Sequence, residues 1–260
     1  MTSRINPPNE RPLVSVITAV FNGEKYIEQT IQSILNQTYK NLEYIIIDGG
    51  STDRTIDIIK KYQDKITYWV SENDKGIGDA FNKGVRVSKG DYINFQGHGD
   101  GFKSTDALER VFKDVDSNRH IFVSARIQRV DVNGHEIFTS KAIQTFDKRS
   151  LLLRMSMPHQ GLFTHKTYFQ KYGLFDVNNI FCMDYEHILR SYKEFPKVMT
   201  SNVVVAKWRA DGIGNDKMLD VFKEWDKIKR ENRVANKFVL YIIKYINLSK
   251  YFLKKIIGSS

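Results

Sequence analysis

The side chains of this chain that can do chemistry stand mostly where a strand or loop gives way to a helix. Asp48 closes an apolar, β-branched run and precedes Gly49-Gly50. A carboxylate there can accept a hydrogen bond from a ligand N–H, or it can organise a turn or cap a helix. His98-Gly99-Asp100 sets an imidazole and a carboxylate two residues apart. Mn(II) accepts that pair when phosphate oxygens complete its shell, although one carboxylate alone holds an ion weakly and His98 also reads as a plain loop residue. Asp79 and Lys83 lie one helical turn apart, so both can face a ligand or form an exposed ion pair of small value. Asp184-Tyr185-Glu186 opens a helical stretch: Asp184 can cap it, and Glu186, two residues on, points elsewhere.

The elements that must position these groups alternate. Strand signals at 13–20, 42–47, 66–70 and 91–95 are separated by helical patterns at 26–37, 53–62 and 79–88, with Ser51 a candidate cap for the second helix. This β-α-β-α-β-α-β order predicts a parallel sheet with helices on both faces. Ligands of such sheets bind beyond the C-terminal strand ends, here 18–22, 48–52, 71–75 and 96–100, all rich in polar and small residues. Further on, 121–130 and 136–139 read as a hairpin around Asn133-Gly134, and 146–155, 167–172 and 184–192 read as helices. Residues 218–257 read as helical and basic.

Composition narrows the classes. The chain has 260 residues, 41% hydrophobic and 27% charged, enough for one large domain with an appendage. The single cysteine, Cys182, fits a reducing compartment and reads as a small buried residue. Residues 1–12 lack the apolar core of a signal peptide. Neither G-x-G-x-x-G nor G-x-x-x-x-G-K-[ST] occurs, which disfavours a dehydrogenase or a P-loop ATPase, and one cysteine leaves a structural zinc site unsupported.

Several blocks carry a resemblance: P-L-V-S-V-I-T-A-V-F-N-G at the start, E-Y-I-I-I-D-G-G-S-T-D-R-T, S-E-N-D-K-G-I-G-D-A-F-N-K-G, G-D-Y-I-N-F, P-H-Q-G-L-F, and C-M-D-Y-E-H-I-L-R. In this order and spacing they resemble family-two inverting glycosyltransferases, over about residues 12–215. The likeness is to the O-antigen and capsule branch, and to bacterial β-1,3-glucosyltransferases acting on lipid-diphosphate-linked N-acetylhexosamine. It implies the GT-A fold, an α/β class with a Rossmann-like, mainly parallel sheet flanked by helices. Residues 1–104 would form the nucleotide-sugar-binding half, 105–216 the acceptor-binding and catalytic half, and 217–260 a basic amphipathic tail.

The resemblance also implies roles. Asp48 would read the nucleobase, with Thr18 and Phe21 lining its pocket. Asp79 and Lys83 would face the donor. His159 would lie beside the donor sugar, or else be a satisfied structural histidine. Asp184 would take the proton from the acceptor hydroxyl, since inversion needs one such base. Relatives usually hold a divalent cation, Mn(II) or Mg(II), on a D-x-D cluster after the fourth strand. Here only Asp100 keeps the acid, with His98 as a substitute ligand. Trp208-Arg209 and Asp211-Gly212-Ile213-Gly214 read as a glycine-hinged loop able to close over the diphosphate.

The net charge is +10, and residues 217–260 hold eleven Lys/Arg against four Asp/Glu, so +7 of it sits in the tail. Charge concentrated in an apolar segment disfavours a nucleic-acid partner, which would spread Lys and Arg with aromatics over one face. Residues 237–258 predict a helix whose lysines meet an anionic membrane surface, and the competing reading packs it on the domain or on a twin subunit in a homodimer. The expected donor is a UDP-sugar, UDP-glucose before UDP-galactose, and the expected acceptor a saccharide on undecaprenyl diphosphate. The expected place is the cytoplasm, peripheral on the inner face of a bacterial inner membrane. The alternative is a non-catalytic sugar-nucleotide-binding partner of an assembly, which would have no need of a base at Asp184.

Overall fold

The first strand, β1 (Val14–Val20), is buried at all seven positions. A strand without a solvated face needs helices on both sides of its sheet. β1 pairs in parallel with β2 (Leu42–Asp48) and with β4 (Tyr92–Gly97), and β2 pairs in parallel with β3 (Tyr68–Ser71). Helices α1 (Ile27–Leu35), α2 (Thr55–Lys61) and α3 (Ile77–Val87) make the crossovers. The structure, a computed structural model, describes residues 11–210 and 217–256.

The expected alternation is present, with ends moved by a residue or two. α3 begins at Ile77 because Gly76, at φ 105°, makes the left-handed turn that starts it. Ser51 does not cap α2. Its hydroxyl donates to Asp48 at 2.5 Å and accepts the Asn22 N–H at 2.7 Å, while Asp53 takes the Thr55 N–H at 3.0 Å.

The second half extends the same sheet. It contributes β5 (Gly101–Phe102), α4 (Ala107–Val111), β6 (Phe122–Val130), β7 (Glu136–Thr139), β8 (Leu162–His165), α5 (Lys166–Tyr172), α6 (Met183–Leu189) and β9 (Val198–Arg209). β8 joins β4 to β6, antiparallel to both, and β9 lies parallel to β6 and antiparallel to β5. Among the described residues the strand order is β3-β2-β1-β4-β8-β6-β9-β5, with β7 hairpinned on β6 as expected. The order reverses between β1 and β4, and a crevice forms at such a switch point.

Two expected helices differ. Residues 146–155 form only a 3-10 turn, Lys148–Leu152, because the Asp147 side chain takes the Arg149 N–H at 2.9 Å and tightens the chain there. The basic tail is two helices, α7 (Met218–Glu231) and α8 (Lys237–Ile256). Arg233, at φ 49°, breaks the run, and Asn236 restarts it by accepting the Val239 N–H at 2.9 Å. Val221 and Ile228 of α7, Val234 and Leu240 pack in one cluster with Leu151, Met157, Tyr185 and Leu189. The tail is therefore partly core rather than a free appendage.

Asp48 shows how tightly the donor-side loops are tied. It is fully buried, and its carboxylate accepts the N–H groups of Gly50 at 3.1 Å and Ser51 at 2.9 Å. It also accepts the hydroxyls of Ser51 at 2.5 Å and Ser71 at 2.6 Å. Removing a buried acceptor strands its donors. Asp48→Ala should lower stability by about 2–4 kcal/mol in urea unfolding, and an unchanged midpoint would mean that Asp48 does not hold these loops together.

Candidate active site

A cleft of about 1480 Å³ opens at the switch point. The end of β1 and the turn after it supply Val20, Phe21, Asn22 and Gly23, and the turn after β4 supplies Gly97, His98 and Asp100. The second half closes it with His159 and Gln160, with Met183 and Asp184 of α6, and with Trp208 and Arg209 at the end of β9. Its charged lining is mainly basic: Lys25, Arg126, Lys141, Arg154 and Arg209 against Asp74, Asp100 and Asp184. A cleft of that sign suits a diphosphate.

Asp100 is the fixed point of the β4–β5 turn. Its carboxylate accepts the N–H of Gly97 at 3.2 Å, the side-chain amide of Gln160 at 3.0 Å and the N–H of Arg209 at 3.0 Å. Thr30 of α1 donates to its carbonyl at 2.6 Å. Gly99 sits at φ 93°, and a Cβ there would lie 2.6 Å from the Arg209 side chain. Only glycine lets that turn pass so close to Arg209. The Arg209 guanidinium lies over the Tyr26 ring, 3.3 Å from its centroid.

His98 and Asp100 thus share one cleft, as a two-ligand site requires. Among the described residues, however, no three His, Cys, Asp or Glu side chains converge to hold a metal. An ion between them would need oxygens from the donor's own diphosphate.

Asp184 lies in the first turn of α6 and lines the cleft. The Tyr185 N–H donates to its Oδ1 at 2.8 Å, and Nδ1 of His159 is 3.7 Å from its Oδ2. His159 stacks on Phe95 at 5.2 Å with the rings 11° apart, and its Nε2 is buried without a hydrogen-bond partner. Burial holds its pKa below the usual histidine value, against the opposing pull of Asp184. The imidazole is therefore neutral near pH 7. Sequence reasoning set His159 by the donor sugar, and the structure brings it beside Asp184.

Other assignments land differently. Phe21 is exposed and lines the cleft, but Thr18 does not: it is buried in β1, where its hydroxyl accepts from Tyr44 at 3.1 Å. Thr18 lies further back in β1 than Ala19 and Val20, the residues of that strand that reach the cleft. Asp48 also lies behind the cleft wall, held by the four bonds described above. Asp79 and Lys83 brace the loop after β3. Lys83 donates to the Asn73 carbonyl at 2.8 Å and pairs with Glu72 at 2.9 Å, and Asp79 accepts the Lys75 N–H at 3.1 Å. Glu186 is structural, gripped by Arg190 at 2.6–3.1 Å. Cys182 is buried as expected. Residues 211–214 of the expected loop lie outside the described residues. The basic lining was missed, because Lys25, Arg126, Lys141 and Arg154 come from separate elements and share no motif.

The fold is an α/β sheet whose cleft opens at a strand-order reversal, the place where such sheets bind their ligands. Residues 15–185 match the family described as glycosyl transferase family 2, and the chain belongs to that family. An uncharacterized glycosyltransferase of Rickettsia typhi is 33% identical over 183 residues, covering 67% of this chain and 57% of its own length. One from Mycobacterium tuberculosis is 28% identical over 211 residues, covering 78% of each. The chain thus spans little more than half the length of the Rickettsia relative. Among solved structures, Staphylococcus aureus TarS residues 1–349 with UDP superposes at a TM-score of 0.68, with 16% identity, over 92% of this chain and 71% of that one. The mannosyltransferase PcManGT of Pyrobaculum calidifontis, with GDP-Man and Mn2+, superposes at 0.66, with 17% identity, over 97% and 78%. These two likenesses establish the GT-A-like fold.

His187 of α6 is buried beside Phe169 and Phe175, donates from Nε2 to the Gly173 carbonyl at 2.8 Å, and has its pKa pushed down to about 3 by burial. His159 is shifted in the same direction. A histidine held neutral takes up a proton on unfolding once the pH falls below its unfolded value of about 6.5. Stability is therefore full above that value and is lost as the pH falls from about 6.5 toward about 3. Thermal unfolding should show a falling midpoint across this window, and a shallower fall in His187→Gln. Equal slopes in both proteins would contradict this.

Proposed function

We propose that the protein is an inverting, nucleotide-sugar-dependent hexosyltransferase whose general base is Asp184. The observation that carries this is the placement of a carboxylate, with a neutral imidazole 3.7 Å away, in the same basic cleft as Asp100. In the reaction, the acceptor hydroxyl gives its proton to Asp184 as its oxygen bonds to the anomeric carbon. The bond from that carbon to the diphosphate oxygen breaks, and the diphosphate leaves with the electron pair. Attack from the face opposite the leaving group inverts the carbon. His159, with Nδ1 3.7 Å from Oδ2, would help to aim the carboxylate.

Lys25, Arg126, Arg154 and Arg209 would bind the diphosphate, and Phe21 would offer the nucleobase an exposed ring. A Mn(II) or Mg(II) ion, held by Asp100 and His98 with diphosphate oxygens, would add charge neutralisation for the leaving group. The Mn2+ in the mannosyltransferase complex supports testing for one. UDP-glucose is the first donor to try and UDP-galactose the next, on the sequence resemblance, and the UDP-GlcNAc complex of TarS and the GDP-Man complex of the mannosyltransferase support a nucleotide-linked sugar of either base. The acceptor read from the sequence resemblance is a saccharide on undecaprenyl diphosphate, in O-antigen or other surface-polysaccharide synthesis at the inner face of the inner membrane.

Asp184→Asn should lower turnover at least about a hundredfold while UDP binding, measured by calorimetry, is retained. Near-normal turnover would remove Asp184 from the role of general base. Asp100→Ala should abolish transfer, His98→Ala should weaken it, and a strong chelator should stop the unmodified enzyme. Full activity in chelator would assign diphosphate neutralisation to the basic side chains alone.

A further inference from the structure

α8 turns its apolar side away from the protein. Leu240 and Ile243 point inward, and the Asn247 amide reaches the Leu153 carbonyl at 3.4 Å. At about 100° per residue the opposite side carries Phe238, Tyr241, Ile242, Tyr245, Phe252 and Leu253, and all six are exposed, Phe238 at 71%. Exposed lysines border this stripe, Lys237, Lys244 and Lys255 along one margin and Lys250 along the other. Lys244 also lies 3.8 Å from Asp226 of α7. Residues 237–260 contain no acid. No described helix is long and apolar enough to cross a membrane.

We infer that α8 docks the protein on an anionic lipid surface. Its apolar stripe enters the boundary between headgroups and acyl chains, and its marginal lysines meet the lipid phosphates. Tyr241 and Tyr245, apolar rings with a polar tip, suit that depth. Charge decides between lipid and a second copy of the chain. A two-fold contact is self-complementary, so it would bring the lysine margins of two helices together with no acid on either helix to offset them. An anionic surface neutralises them instead.

The position of α8 gives the docking a use. Leu240 packs in the cluster that holds Leu151 and Met157, and Arg154, Met155 and Ser156 of the same stretch line the cleft. A lipid surface beneath α8 is therefore one chain segment from the cleft wall, close to where a lipid-carried acceptor would enter.

Vesicle co-sedimentation without any sugar nucleotide tests the docking independently of the transfer reaction. The full chain should pellet with phosphatidylcholine vesicles containing phosphatidylglycerol, and not with phosphatidylcholine alone. Lys237→Gln with Lys250→Gln should lower the partition coefficient about 25-fold, about fivefold per lysine, and high salt should erase that difference. Phe238→Ser with Tyr245→Ser should abolish pelleting while the circular dichroism melt stays unchanged, since both side chains are exposed. Failure to pellet, or equal pelleting with both vesicle types, would overturn the inference. So would a lipid-free dimer in light scattering that the Phe238→Ser, Tyr245→Ser variant dissolves, because the stripe would then be a subunit interface.

Discussion

One carboxylate ties the halves of this molecule together. Asp100 accepts hydrogen bonds from Gly97 in its own turn, from Gln160 before β8 and from Arg209 at the end of β9, and Thr30 of α1 donates to its carbonyl. These segments are far apart in sequence and meet only at the strand-order reversal. A carboxylate with three N–H donors is held in one orientation, and so are the donors. The cleft walls depend on that knot. If Asp100 also touches a metal or a diphosphate, its position is set before the ligand arrives, which lowers the cost of ordering the site on binding.

A second constraint is desolvation around Asp184. His159 is packed between Phe95 and the carboxylate, and burial keeps it neutral. The neutral imidazole stands 3.7 Å from the Asp184 carboxylate and adds no positive charge beside it. Behind it, Glu186 and His187 serve structure: the first grips Arg190, which in turn holds the carbonyls of Tyr172 and Leu174 at 2.7 and 2.8 Å. One short helix thus presents the Asp184 side chain to the cleft from a rigid backing.

Much of this was legible in the sequence. The β-branched runs separated by helical spacing gave the parallel half of the sheet, and the polar strand ends marked the side where the cleft opens. Asp100, His98, Asp184, Phe21 and His159 all line that cleft. Thr18, Asp48, Asp79 and Lys83 do not, because motif position reports neither which face of a strand a residue occupies nor whether local donors already hold its carboxylate. The break at Arg233 was hidden for a similar reason, since a left-handed residue other than glycine or asparagine leaves little trace in spacing. The basic lining converges only in three dimensions, from Lys25 before α1, Arg126 of β6, Lys141 and Arg154 between β7 and β8, and Arg209 at the end of β9.

The stereochemistry of the product tests the central claim most directly. An α-linked sugar nucleotide, turned over with a hydroxyl acceptor, should give a β-linked product by proton NMR, with no α-linked product from the first turnover onward. An α-linked product would mean retention, and a single carboxylate base at Asp184 acting on the acceptor could not then describe the reaction.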